Sequence, residues 1–173
     1  MESLKEDNLT KHLGVCNYSS GLLHDLMNYC ETKPEILQIE SHPYLTQEKL
    51  IRLAKDYGLE VTAFSPLGSI SYEELGGAEE SESILKNEIV QSTSKDLGIT
   101  PAQLILGWGL NRGTSIVVKS TNEIRMKENL AASRIQLQQS IIDKISALNI
   151  NKRYNDPGIF CEDAFNTFFP IYE

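Results

Sequence analysis

The stretch IVVKSTNEIRMKENL, residues 116–130, decides the fold class. Apolar β-branched residues run straight into Lys119, small polar residues follow, and an arginine-bearing helical pattern begins. That is a strand-to-helix junction, and the same order recurs upstream. HLGVC (12–16), EILQIE (35–40), LEVTAF (59–64) and TSIVVKS (114–120) each read as a short strand bounded by turn-forming residues. Helical spacing follows them: SSGLLHDLMNYC with Leu22, Leu23, Leu26 and Met27; TQEKLIRLAKDYG, ended by Gly58 as a C-cap; and STNEIRMKENL. Between the third and fourth strands lie two further helices, ESILKNEIVQSTSKDLG and TPAQLILGWGLNRG, the second opened by Thr100 as N-cap and Pro101 at the first helical position. A last helix, LQQSIIDKISALN, precedes an irregular tail.

Strands alternating with helices predict an α/β fold with a parallel sheet and a ligand site at the strands' C-terminal ends. Polar residues gather there: Asn17, Gln38 to Glu40, Ser65, Ser69, Lys119 and Ser120. Four such units fit a small open doubly wound sheet or half of an eight-stranded barrel, and length does not choose between them. The acidic segment SISYEELGGAEESES, residues 69–83, reads as a mobile loop, longer than ordinary connections and suited to a lid or a disordered insertion.

At 173 residues, with 40% apolar and 23% charged residues, the chain holds one core and is not a disordered polymer. A formal net charge of -8 argues against nucleic acid or an anionic membrane surface as partner. No run approaches the roughly 18 apolar residues of a membrane span, and the charged start MESLKEDNLTKH is unlike a signal peptide, so the expected compartment is the cytoplasm. Cys16, Cys30 and Cys161 are odd in number and widely spaced, which suits free thiols and neither a disulfide framework nor a metal site.

Against that acidity, residues 111–130 form a basic island, four cations (Arg112, Lys119, Arg125, Lys127) against Glu123 and Glu128. Unpaired N–H groups and the dipole at the start of the last junction's helix favour an anion such as phosphate. Lys119 adds a point charge, and Arg125, Glu128 and Asn129 share a helix face, bringing a bidentate donor, an acceptor and an amide together. The competing reading is local: Ser120 and Glu123 as a capping box, and Arg125 paired with Glu128 on a solvated face.

GVCNY, LQIESHPYLTQEKL, VTAFSPLGS and VVKSTNEIRMKENL, in that order, closely resemble the second half of the aldo-keto reductases, in particular the xylose reductase and aldose or aldehyde reductase branch. KRYNDP, residues 152–157, also resembles the fungal xylose reductase terminus. The resemblance implies a (β/α)8 TIM barrel of which this chain supplies the C-terminal half, strands five to eight with their helices, as a single partial domain over 1–173, its tail 154–173 lying over the substrate pocket. It implies NADP(H) as cofactor and an aldehyde, aldose or ketone reduced to an alcohol. Lys119, Ser120, Asn122, Arg125, Glu128 and Asn129 match the positions that hold the adenosine 2'-phosphate and adenine, with Arg125 favouring NADPH over NADH. Ser65, Leu67 and Ser69 match the loop along the pyrophosphate, and 69–83 sits where relatives fold a loop over the cofactor. Asn17 and Gln38 match the amides that hold the nicotinamide carboxamide, and each amide offers both donor and acceptor. Phe64 replaces the usual stacking tyrosine, keeping the ring and losing the hydroxyl. Cys16 replaces the usual serine, weakening one donor.

The family's catalytic tyrosine, lysine, aspartate and histidine belong to the first half of the barrel, so no catalytic residue is assigned here. His42, in ESHPY, matches a structural histidine-proline, and His12 and His24 read as surface or helix-end groups. A half barrel has two open sheet edges and an unfilled interior, which makes a homodimer covering the open half an expected partner. The alternative is a non-catalytic nucleotide-binding module or redox sensor that keeps the cofactor grip without the acid.

Overall fold

A computed structural model describes residues 1–73 and 77–172, leaving aside the side chains of Ser71 and Phe160. The chain opens with α1 (Glu2–Glu6), then β1 (Gly14–Cys16), α2 (Ser20–Tyr29), β2 (Ile36–Glu40), α3 (Glu48–Asp56) and β3 (Glu60–Phe64). A short α4 (Ile70–Glu73) and two 3-10 turns (Glu80–Glu82, Ile84–Lys86) lead to α5 (Glu88–Leu97) and α6 (Pro101–Asn111). Next come β4 (Ser115–Ile116), α7 (Glu123–Ala131), α8 (Gln139–Ser146) and α9 (Pro157–Phe165).

The four strands form one parallel sheet in chain order, β1-β2-β3-β4. Cys16 lies opposite Gln38, Gln38 opposite Thr62, and Thr62 opposite Ser115. Alternation sorts the two faces. Leu37 and Ile39 of β2 and Val61 of β3 join Leu23 and Met27 of α2 and Ile51 and Ala54 of α3 in one buried cluster. Fully burying a side chain such as Leu23 or Leu37 contributes about 1.5–3 kcal/mol. A second cluster joins Ile84 of the second 3-10 turn with Val90, Leu104, Ile105, Trp108, Ile142 and Ile145 of α5, α6 and α8. On the other face Cys16 and Ser115 are exposed and Gln38 and Thr62 half-buried. One side covered by helices and one side open is the wall of a (β/α) barrel seen over half its circumference.

Several local expectations hold. Thr100 accepts from the Gln103 N–H and Gln103 returns the bond to the Thr100 N–H, so α6 opens with a capping box and Pro101 inside its first turn. Gly58 ends α3 at φ 78°, a backbone that favours glycine.

Others are corrected. β4 is two residues long rather than seven, because among the described residues it pairs with β3 alone and pairing ends where the Val117 N–H donates to the Ala63 carbonyl at 2.9 Å. Asn122, not Ser120, caps α7, its Oδ1 accepting from the Arg125 N–H at 3.1 Å. Ser120 Oγ instead accepts from the Asn122 N–H at 3.1 Å, so the side chain braces the turn ahead of the helix. α5 starts at Glu88 rather than Glu82, because Asn87 caps it. The tail contains a helix: Asp156 accepts from the Gly158 N–H and Pro157 occupies the first turn of α9. The 69–83 loop lies partly outside the described residues, and its described flanks form α4 and a 3-10 turn.

Candidate functional site

The predicted residues fall into three groups along the strands' C-terminal ends. At the end of β1, Asn17 takes a left-handed φ of 57°, which an asparagine tolerates better than most side chains. Its N–H donates to the Gln38 carbonyl at 2.9 Å. Its side-chain Oδ1 is buried and has no hydrogen-bond partner. A buried acceptor without a donor costs roughly 1–3 kcal/mol, so this oxygen is a place where an external N–H would be welcome. Asn17 also lines a cavity of about 460 Å³ with Tyr18, Gln47, Lys49, Arg153 and Tyr172 among its walls. Gln38 sits beside Cys16 in the sheet register, with Phe64 at the end of the next strand. Cys16 is exposed, and partial burial of its thiol pushes the pKa up, away from the thiolate form.

The second group follows β3. Ser65, at φ 47°, shares a hydrogen bond of 2.9 Å with the Tyr72 hydroxyl. Ser69 is fully buried and its hydroxyl donates to Glu73 Oε1 at 3.1 Å. Leu67 packs against the second hydrophobic cluster. Leu67 and Ser69 thus hold the loop from below, while Ser65 remains half-buried at its start.

The third group surrounds the opening stretch. Lys119, Ser120 and Asn129 line a cavity of about 570 Å³ whose remaining walls are Leu106, Leu110, Ile116, Val118, Met126, Leu130 and Ser133. A polar mouth over an apolar floor suits a flat, partly polar ring. Arg125 is not part of that lining; it is exposed, and so is Lys119. The local ion pair on α7 is Lys127 to Glu123 at 2.7 Å, not Arg125 to Glu128. Glu128 is half-buried, its backbone carbonyl accepting from the Gln103 side chain at 3.2 Å. Among the described residues Arg125 forms no ion pair, so its guanidinium is available to a ligand at the helix start.

One cluster was missed by the sequence reading. Glu40, at the end of β2, has a fully buried carboxylate. It accepts from the backbone N–H groups of Tyr154 at 2.9 Å and Asn155 at 3.1 Å, lies 3.1 Å from His42 Nε2, and has Arg153 at 3.7 Å. Burial pushes its pKa up, but the bonds from His42, Tyr154 and Asn155 outweigh that and hold it below the ordinary carboxylate range. His42 is itself fully buried, in line with a structural role. Burial, with nearby carboxylates, pushes the Tyr154 phenol up to about 12, so it is a fixed neutral group at neutral pH. The signal for this cluster is in the sequence: a carboxylate ending the mostly apolar strand ILQIE demands partners if it is buried. The partners, 114 and 115 residues away, leave no local trace.

A sequence profile described as the Aldo/keto reductase family matches residues 1–150. The chain belongs to that family. Among similar proteins, a probable NAD(P)H-dependent D-xylose reductase of Aspergillus terreus is 42% identical over 99% of this chain and 53% of its own length. One from Aspergillus fumigatus is 41% identical over 91% of the chain and 50% of its length, and one from Arthroderma otae 39% over 99% and 52%. The chain spans about half the length of the curated reductases it matches. A parallel sheet of four strands beside relatives of twice the length makes this half of the family's barrel. Among the described residues, no helix is long and apolar enough to cross a membrane, and no cluster of potential metal ligands is found.

Proposed function

We propose that this chain is the cofactor-binding half of an NADP(H)-dependent oxidoreductase that reduces aldehydes, aldoses or ketones to alcohols. The observation that carries it is the orphaned Asn17 Oδ1, a buried acceptor beside Gln38 at the strands' C-terminal ends, which suits a carboxamide N–H. When bound, the dinucleotide supplies a hydride to the carbonyl carbon. The chain's own residues hold and orient. Asn17 and Gln38 fix the carboxamide and Phe64 offers an aromatic face to the ring. Ser65 marks the pyrophosphate path, with Leu67 and Ser69 supporting its loop from the core side. Lys119, Ser120 and Asn129 line the adenosine cavity, Asn122 presents the helix start, and Arg125 grips the 2'-phosphate with Glu128 beside it. No residue of this chain is assigned the proton donation, and the chain by itself is inactive. The tail 154–173 walls the substrate pocket, the whole 1–173 acts as one partial domain, and the cytoplasm is its compartment. A homodimer covers the open face.

The similar reductases are named NAD(P)H-dependent, which leaves the choice of dinucleotide open, and Arg125 is the reason for preferring NADPH. The test is a fluorescence titration of the purified chain with NADPH and NADH. Tighter binding of NADPH is expected, weakened by Gln38→Ala. Binding of neither sinks the proposal, whereas equal binding of both removes Arg125 from it.

A further inference from the structure

Tyr72, in α4, joins the loop after β3 to the tail. Its hydroxyl lies 2.9 Å from Ser65 Oγ, and its ring stacks on Tyr154, centroids 6.0 Å apart and planes 17° from parallel. Tyr154 is itself fixed, its N–H donating to the buried Glu40 carboxylate at 2.9 Å. The Tyr72 N–H donates to the carbonyl of the fully buried Ser69 at 2.7 Å. The phenol is therefore held through its ring, its backbone and its hydroxyl together. Ser65 needs such a hold. At φ 47° it has a left-handed backbone, which a serine keeps only where its surroundings fix it. The turn is closed by the Gly68 N–H donating to the Ser65 carbonyl at 2.9 Å, a bond that leaves the serine hydroxyl free to rotate.

A phenol and a serine hydroxyl can each donate or accept, so the direction of this bond decides what Ser65 can offer a ligand. Burial pushes the Tyr72 pKa above the ordinary phenol range, and the side chains of Ser65 and Asn155 offset that only in part. The phenol keeps its proton at neutral pH and can donate it. With Tyr72 as donor, the Ser65 oxygen is occupied and the one serine proton is left for an acceptor outside the pair. Unprotonated phosphoryl oxygens are acceptors, and a hydroxyl that already accepts a bond donates more strongly. We infer that Tyr72 is a positioning residue of the dinucleotide site: its hydroxyl donates to Ser65 Oγ and turns the serine O–H toward the pyrophosphate. Tyr72 acts through Ser65 and does not itself hold the cofactor. This rests on the pyrophosphate path proposed above. The competing role is structural: Tyr72 pins α4 to the tail, and loss of its hydroxyl then lowers stability and leaves nucleotide affinity alone.

Calorimetric titration of the 173-residue chain separates the two roles. The ligands are NADPH, ADP-ribose, which carries the pyrophosphate, and adenosine 2'-monophosphate, which lacks it. Tyr72→Phe keeps the stacking ring and removes the hydroxyl. It should weaken NADPH and ADP-ribose by about three- to tenfold each, the scale of one neutral hydrogen bond, and leave adenosine 2'-monophosphate unchanged. Ser65→Ala should cause the same loss, and the double variant no more than either alone, because the two hydroxyls act as one unit. Circular dichroism shows whether Tyr72→Phe is folded; should it not fold, Ser65→Ala decides alone, and full pyrophosphate affinity in that variant overturns the inference. Native NADPH affinity in a folded Tyr72→Phe chain also overturns it, as do equal losses for all three ligands or additive losses in the double variant, and each of these leaves the cofactor reading in place. If the native chain binds none of the three, the cofactor reading itself fails and takes this inference with it.

Discussion

Glu40 and Tyr154, 114 residues apart in sequence, are joined where the Tyr154 N–H donates to Glu40 Oε1 at 2.9 Å. The other carboxylate oxygen takes the Asn155 N–H at 3.1 Å, so one buried side chain at the end of β2 ties down the start of the tail. Tyr154 in turn lies against His42, ring centroids 5.3 Å apart, and stacks on Tyr72 at 6.0 Å. The strand end carrying Gln38 and the loop carrying Ser65 thereby share one anchor, through Glu40 on one side and Tyr72 on the other.

Glu40→Ala should therefore release the tail and destabilise the whole chain by about 3–5 kcal/mol, since it strands His42, Arg153 and two backbone donors around a hole. Glu40→Gln keeps the shape and one acceptor and should cost less. Urea unfolding gives the stability change, and limited proteolysis should show cleavage within 150–172 in the alanine variant before any cut in α5 or α6. Unchanged protection of the tail would show that other contacts hold it.

The same carboxylate sets an acid limit. Its pKa in the fold is lowered from the ordinary value near 4.3, so its stabilisation is fully present above that value and is lost as pH falls through the lowered one. The urea midpoint should be level from about pH 7 to 5 and fall below about pH 4, with a shallower fall in Glu40→Gln. Glu35, Glu80 and Glu82 are also lowered, by Lys5, by Lys86 and by the Glu79 N–H respectively, but they lie at the surface, where such pairs contribute little. Identical acid limbs in the two proteins would remove Glu40 as the cause.

Interactions that are local in the chain leave a mark in its sequence, and those between distant segments do not. The strand and helix order was legible, because period-two and period-3.6 patterns are local: Leu37 and Ile39 turn inward as alternation requires, and Thr100 with Pro101 starts α6. Ser120 was misjudged as a cap because Asn122, two residues on, competes for the same helix start and wins. Asp156 and Pro157 signal α9 as plainly as Thr100 and Pro101 signal α6, but the aromatic run after them obscured a helix of nine residues. Lys119, Ser120 and Asn129 line one cavity because they sit on one strand-to-helix junction, a proximity that is local in the chain. The burial of Ser69, and the ties from Glu40 to Tyr154, depend on chain segments that meet only in three dimensions.

Trp108, the sole tryptophan, gives the second hydrophobic cluster its own reporter. It is 1% exposed, its indole N–H donates to Ser146 Oγ at 2.9 Å, and Arg112 lies over its ring at 4.4 Å. Its emission should be blue-shifted in the folded chain and move to the red on unfolding. Trp108→Phe should cost about 1–3 kcal/mol, from a lost hydrogen bond and an unfilled volume beside α8. A red-shifted native emission would mean that α6 and α8 do not seal this cluster.

Arg125 offers the sharpest test of cofactor choice, because its exposure lets the side chain be removed without disturbing the core. The Asn122 cap accepts from the Arg125 backbone N–H, a bond that any residue at 125 keeps, so α7 should remain formed in Arg125→Ala. NADPH affinity should fall by roughly tenfold or more, the scale of one charge-assisted hydrogen bond, while NADH affinity changes little, since a ribose hydroxyl gives the guanidinium no charge to hold. Raising salt from 50 to 200 mM should weaken NADPH more in the native chain than in the variant, because an exposed pair is screened. Equal losses for both dinucleotides would mean that the substitution disturbs the site generally, and no loss for either would place the 2'-phosphate away from the first turn of α7.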